Sequence, residues 1–268
     1  MPKVKAGNLT MNYEQQGSGE PLILIPFLTA DNACYAFQVA DYAKHFTCIS
    51  VDLRGTGESD KTEGAYTTET LADDIAAFMQ ALGLASAHIS GLSLGAAIGM
   101  WLAAKHPARV KSLSLHSGWP KSDPFLKAAI GAIQAAAKSL PTIADVTITA
   151  VFPWCFTPEL YAAKPDYIES LSAFVRSRPA QSLASFLQQS NAVLEHDAEA
   201  QLGKITAPTQ ITFGRFDLAT STRFADRLKR GIRNSEVLIF EGCAHAPIYE
   251  NVAEFNEKTL AFLKRHSA

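Results

Sequence analysis

Ser93 stands at the centre of Gly91-Leu92-Ser93-Leu94-Gly95, with the run Ala87-His88-Ile89-Ser90 before it and the helix-forming stretch 96–102 after it. The arrangement reads as a strand, a one-residue elbow and a helix. So tight a turn forces strained backbone angles on the serine, and glycines two positions to either side keep side chains from colliding there. The chemistry this suits is nucleophilic: the hydroxyl is pushed out of the sheet, and the Leu94 N–H, at the N-terminus of the following helix, is free to donate to a developing oxyanion. The pentapeptide alone is a common turn, and the strand-then-helix context is what gives it meaning.

A serine nucleophile needs a base and a carboxylate to orient it. Residues 209–213 read as a buried strand, and Gly214-Arg215-Phe216-Asp217 turns away from its end, which makes Asp217 the candidate acid. Residues 236–240 read as a second strand running into Glu241-Gly242-Cys243-Ala244-His245-Ala246-Pro247, which makes His245 the candidate base. Each residue has a plainer use. Asp217 could cap a helix starting near Thr220, and His245 could be a satisfied core histidine. His88, His106, His116, His196 and His266 take that structural reading, since His245 alone among these candidates follows a strand in a glycine-containing loop.

The order Ser, Asp, His is that of the α/β-hydrolases. The segment Asp52-Leu53-Arg54-Gly55-Thr56-Gly57-Glu58-Ser59, after a strand at 48–51, fits the D-x-R-G-x-G-x-S loop of one branch of them. Over essentially its full length the chain resembles the α/β-hydrolase superfamily, within it the esterase, 3-oxoadipate enol-lactonase and aminoacrylate-hydrolase-like group. The resemblance implies a Ser93–His245–Asp217 triad, an acyl-enzyme intermediate and no metal or organic cofactor. Where most members carry His-Gly at the first oxyanion loop, this chain has Pro26-Phe27; the family's spacing, counted on to Asp31 and Tyr35, then places Leu28 as the second oxyanion donor beside Leu94. Asp52 and Arg54 are expected to hold loops together as a charge-assisted pair. A serine at 93 argues against the dehalogenase and epoxide-hydrolase branches, which use an aspartate nucleophile. The expected activity is hydrolysis of small to medium, mainly apolar carboxylic esters, the alternative a lactone hydrolase of the enol-lactonase or acyl-homoserine lactonase type. A catalytically silent ligand receptor on the same fold is the third reading.

The elements that must position these residues are legible as alternation. Residues 3–6 and 9–14 flank Gly7-Asn8 as an opening hairpin, and strands follow at 22–25 and 46–51. Thr67 or Thr68 can cap a helix whose apolar positions Leu71, Ile75, Phe78, Met79 and Leu82 share one face, ending at Gly83. The elbow and a strand at 110–116 come next, and strand-helix alternation resumes only near Thr209. This predicts an α/β-hydrolase fold with a mostly parallel, doubly covered sheet. Residues 1–118 and 203–268 form its core, and residues 119–202 an inserted helical cap.

Within the cap, Ile130, Ile133, Ala137 and Leu140 fit one helix face, Tyr167, Leu171, Phe174 and Val175 another, and Leu183, Phe186, Leu187 and Val193 a third. The piece 151–158 fits none, because three aromatics and two prolines in eight residues cannot form one regular stripe. It either walls a pocket or seals cap against core. The candidate substrate-binding residues are Phe27, Trp119, Phe152, Trp154 and Phe156.

With 268 residues and 47% hydrophobic content, the chain can bury a large core as one domain with an insertion. A net charge of −2 offers no basic stripe and speaks against nucleic acid or acidic membrane partners. Cys34, Cys48, Cys155 and Cys243 have neither C-x-x-C nor metal-like spacing and read as reduced structural thiols. No stretch has the length and apolarity of a signal peptide or a membrane span, so a cytoplasmic protein is expected, acting on a small-molecule ester or lactone. The sequence leaves its oligomeric state open.

Overall fold

The computed structural model describes residues 2–267; Met1 and Ala268, included in the expected core boundaries, lie outside the described residues. In chain order the elements before the elbow are β1 (Lys3–Ala6), β2 (Leu9–Gln16), β3 (Glu20–Ile25), α1 (Ala36–Tyr42), β4 (Phe46–Val51) and α2 (Thr68–Ala81). The elbow joins β5 (Ala87–Leu92) to α3 (Leu94–Lys105), and β6 (Val110–His116) follows. The described residues form an eight-stranded sheet of order β1-β2-β4-β3-β5-β6 and then β7 (Thr209–Gly214) and β8 (Ser235–Phe240). β1 and β2 pair antiparallel, as does β2 with β4, and every pairing from β4 to β8 is parallel.

Parallel strands buried on both faces need apolar residues at consecutive positions, and β3 shows how these are shared out. Ile23 and Ile25 pack into one core with α2 and α3, while Leu22 and Leu24 pack into a second with α1 and the C-terminal helix. β4 divides the same way, with Ile49 and Val51 on the first side and Phe46 and Cys48 on the second. α3 is buried nearly all round, as a helix must be when covered by both sheet and neighbour. α2 starts as its cap residue requires: the Thr67 hydroxyl accepts from the Thr70 N–H, and Gly83 at φ 69° lets the chain leave the helix.

Between β6 and β7 the chain is mainly helical: α4 (Pro124–Ala137), α5 (Ile143–Val146), a π turn over Thr147–Val151, α6 (Phe152–Cys155), α7 (Pro158–Ala163), α8 (Pro165–Ser177) and α9 (Leu183–Leu194). After β7 comes α10 (Ala225–Gly231), and after β8 come α11 (Pro247–Glu250) and α12 (Val252–Arg265). Most of the expected cap stripes face inward, but Phe174 and Leu183 are exposed. No helix among the described residues is long and apolar enough to cross a membrane.

His116 and His196 are buried, and burial pushes their imidazoles down to about 3 and about 4. His196 lies 2.8 Å from the Thr68 hydroxyl and 3.1 Å from the Trp119 carbonyl; His116 bridges Ser90 and Thr212. Both rings are therefore neutral when folded but take protons in the unfolded chain below about pH 6.5. Stability from these two groups is complete above that value and is lost as pH falls towards 4, at roughly 1.4 kcal/mol per pH unit for each ring. Chemical denaturation of wild type and His196→Gln across pH 7 to 4.5 checks this, the variant being expected to show the flatter dependence.

Candidate active site

The elbow takes the predicted form for a steric reason. Ser93 sits at φ 55° and ψ −115° between β5 and α3. A Cβ on Gly91 would stand 2.3 Å from the Gly95 carbonyl carbon, and one on Gly95 would stand 2.1 Å from the Ile25 carbonyl oxygen. Only glycine lets the strand, the helix and the loop after β3 meet this closely. Gly91, Leu92, Leu94 and Gly95 are buried, whereas Ser93 is partly exposed. Its N–H donates to the His116 carbonyl at 2.8 Å, and its own carbonyl accepts from Ala97 at 3.1 Å, so the turn is tied on both sides.

Asp217 and His245 lie beyond the ends of β7 and β8 and meet there, His245 Nδ1 standing 2.9 Å from Asp217 Oδ2. The Asp217 side chain is fully buried and that of His245 is 11% exposed. Burial pushes the Asp217 carboxyl up, but His245 beside it and the N–H and hydroxyl of Thr220 outweigh this and hold it below the usual carboxylate range. The capping alternative for Asp217 is corrected: the next helical turn starts at Thr222 with Ser221 as its cap, and Asp217 Oδ1 instead accepts from the Thr220 N–H at 2.9 Å. One carboxylate serves both a local turn and the imidazole.

Two residues with no assigned role in the sequence complete the support. The Thr220 hydroxyl lies 2.8 Å from the Ser117 carbonyl, 3.0 Å from Asp217 Oδ2 and 3.2 Å from His245 Nδ1. Ser117, at φ 48°, donates its hydroxyl to the His245 carbonyl at 2.8 Å. Thr220 had shown only as a helix start and Ser117 only as a strand end, because their partners are distant in sequence.

The loop after β3, which begins against Gly95 in the first turn of α3, carries Phe27 and Leu28. Thr29 is there at φ 70°, and Asp31 closes the loop by accepting from Ala33 at 3.1 Å. Asp52 reaches this loop too, accepting from the Asn32 N–H at 2.7 Å, Asn12 Nδ2 at 2.8 Å and the Glu58 N–H at 2.8 Å. The expected pairing of Asp52 with Arg54 is corrected: Arg54 forms a bidentate pair with Asp74, both contacts at 2.6 Å. Asp74 comes from α2, and its sequence distance hid it.

A cavity of about 340 Å³ opens between the Phe27 loop and the helical segment, walled by Phe27, Phe152, Phe156, Leu171, Val175 and Tyr249 among others. Arg178 and Asp31, paired at 2.8 Å, also line it. Ser93 and His245 are not among the described residues on this wall. A second, more open apolar hollow of about 600 Å³ is formed by Trp154, Phe216, Leu218 and Ala244 with neighbours, and Phe156 borders both. Of the candidate substrate-binding residues, Phe27, Phe152 and Phe156 line this cavity, and Trp119 and Trp154 do not. Trp119 is 1% exposed, its indole N–H donating to Ser122 at 2.8 Å and its ring packed on His196. Trp154 faces the second hollow with Phe125 edge-on, because the helical turn Phe152–Cys155 sends successive side chains to different sides.

Residues 20–252 match the family model of the alpha/beta hydrolase fold, and the chain belongs to that family. Its relatives are hydrolases by name. RutD of Azorhizobium caulinodans, named for carbamate hydrolysis, is 27% identical over 98% of each chain, and 3-oxoadipate enol-lactonase 2 of Acinetobacter baylyi is 26% identical over 97% of this chain and 95% of its own. Among solved structures, the enol-lactonase of Burkholderia xenovorans LB400 superposes with a TM-score of 0.87 at 24% identity, covering 98% of this chain and all of that one, a likeness of fold.

Proposed function

We propose that the chain is a serine hydrolase of small to medium, mainly apolar carboxylic esters, acting through an acyl-enzyme. The observation that carries this reading is the strained, partly exposed Ser93 at a strand-helix elbow with the buried Asp217–His245 pair at neighbouring strand ends. His245, held by Asp217 through Nδ1, takes the Ser93 proton on Nε2 as the hydroxyl oxygen attacks the carbonyl; the amides of Leu28 and Leu94 hold the oxyanion. The imidazolium then returns its proton to the departing alcohol, and water deprotonated by the same ring releases the acid. Residues 119–202 act as the cap, and the cavity under Phe152 and Phe156 takes the acyl group.

The name of the Acinetobacter relative supports a second reading, hydrolysis of a lactone. The steps are the same, but the leaving alkoxide stays attached to the acyl group. A hydrolysis panel of aryl esters, alkyl esters of rising acyl length, and lactones separates the two readings, with Ser93→Ala as control. Failure of a fluorophosphonate to label Ser93, with no turnover anywhere in the panel, would leave the receptor reading in place.

The cap assignment carries its own test. Phe152→Ala is expected to change the ranking of acyl-chain lengths, because one methylene of apolar fit is worth about 1–3 kcal/mol in discrimination. Trp154→Ala, outside the cavity, is expected to scale all substrates alike. Comparing kcat/KM along a homologous ester series checks both; a changed ranking in Trp154→Ala alone would move the acyl site to the second hollow.

A further inference from the structure

Glu250 ends α11, five residues beyond the histidine, and its carboxylate faces donors on both sides. Oε1 accepts from the N–H of Thr157 at 2.7 Å and from its hydroxyl at 2.8 Å. Oε2 accepts from the N–H of Ala244, the residue immediately before His245. Thr157 in turn follows Phe156 on the cavity wall and caps α7. The carboxylate therefore joins the loop that carries the imidazole to the helical segment that roofs the cavity.

The rest of the loop is pinned at adjacent residues: the His245 carbonyl accepts from Ser117, and the Ala246 N–H donates to the Cys155 carbonyl at 3.1 Å. On the preceding side the Cys243 carbonyl accepts from the Phe216 N–H at 2.9 Å, and Glu250 adds a tether at Ala244, next to the histidine. We propose that Glu250 is a positioning residue: its ionised carboxylate fixes the Ala244 end of the loop so that His245 meets both Asp217 and Ser93, and it ties that placement to the Phe156 wall. This rests on reading His245 as the base. The carboxylate matters because each of its oxygens faces a backbone N–H, which can only donate. An amide in its place must set its own NH2 against one of those N–H groups and release that arm. Burial pushes the Glu250 carboxyl up, as expected for a charge drawn out of water to make these contacts.

The test uses Glu250→Gln, which keeps shape and loses one acceptor, and Glu250→Asp, which keeps the charge but withdraws it by a methylene. Each is measured for melting temperature, kcat, KM and the rate of Ser93 labelling by a fluorophosphonate, a direct readout of nucleophile activation. A displaced imidazole costs about tenfold or more in rate, so Glu250→Gln is expected to lose that much in both kcat and labelling rate with KM within about twofold, and Glu250→Asp to fall between it and wild type. Either variant labelling at the wild-type rate while folded overturns the proposal, and so does failure of both to fold, which would make Glu250 a residue of the fold alone. If wild type itself is not labelled, it is the serine-hydrolase reading that has failed.

Discussion

Replacing Ser93 with alanine is expected to remove turnover, by about 10³-fold or more, while the melting temperature stays within a few degrees of wild type. The two halves of this result have separate causes. Rate is lost because the hydroxyl oxygen is the atom that bonds to the acyl carbon, and no neighbour on the elbow can replace it. Stability is retained because Ser93 is partly exposed, and alanine keeps the Cβ that the backbone at φ 55° already accommodates. The decisive measurement is steady-state rate per folded molecule on the best ester of the panel, with circular dichroism confirming the fold. More than about a tenth of the wild-type rate would remove Ser93 from the mechanism.

Asp217→Asn should come next in size, at about 10²- to 10⁴-fold. The carboxylate oxygen nearest the imidazole accepts, and it selects the tautomer with hydrogen on Nδ1 and a free lone pair on Nε2. An amide nitrogen in that place donates, so Nδ1 becomes the acceptor and Nε2 carries the hydrogen, leaving nothing to take the serine proton. Because His245 and Thr220 hold the wild-type carboxyl low, Asp217 remains ionised throughout the range in which an imidazole titrates. Comparing kcat/KM of both proteins on the best ester checks this; a fully active Asn variant would place the orienting acid elsewhere, and Ser117, just past the end of β6, offers no carboxylate in its stead.

The strands were the most legible part of the chain. Residues 46–51 and 110–116 form strands with the bounds read from the sequence, and β5 runs on from 87–90 to include Gly91 and Leu92, whose character belongs to the turn. The candidates Ser93, Asp217 and His245 were legible because each follows a strand and the sheet collects strand ends along one edge. Side-chain direction within the helical insertion was not. Phe152, Trp154 and Phe156 look equivalent in sequence, yet one turn of helix sends the first and third to the cavity and the second to another hollow. Trp119 was expected among the substrate contacts, but its ring is committed to Ser122 and His196, which no local pattern reveals. The Arg54–Asp74, Ser117–His245 and Glu250–Thr157 contacts were hidden for the same reason: each joins residues at least 20 positions apart in the chain.

The strained backbone at Ser93 also sets heat tolerance against turnover at a single codon. A non-glycine residue held at positive φ stores on the order of 1–3 kcal/mol, and glycine alone would release it without steric cost. On the proposed mechanism, the substitution most favourable to the folded state at this position is therefore one that removes the nucleophile. A directed-evolution campaign scored only by soluble protein surviving a heat step would enrich Ser93→Gly and discard the enzyme, so libraries built on this scaffold need a selection for product formation in every round.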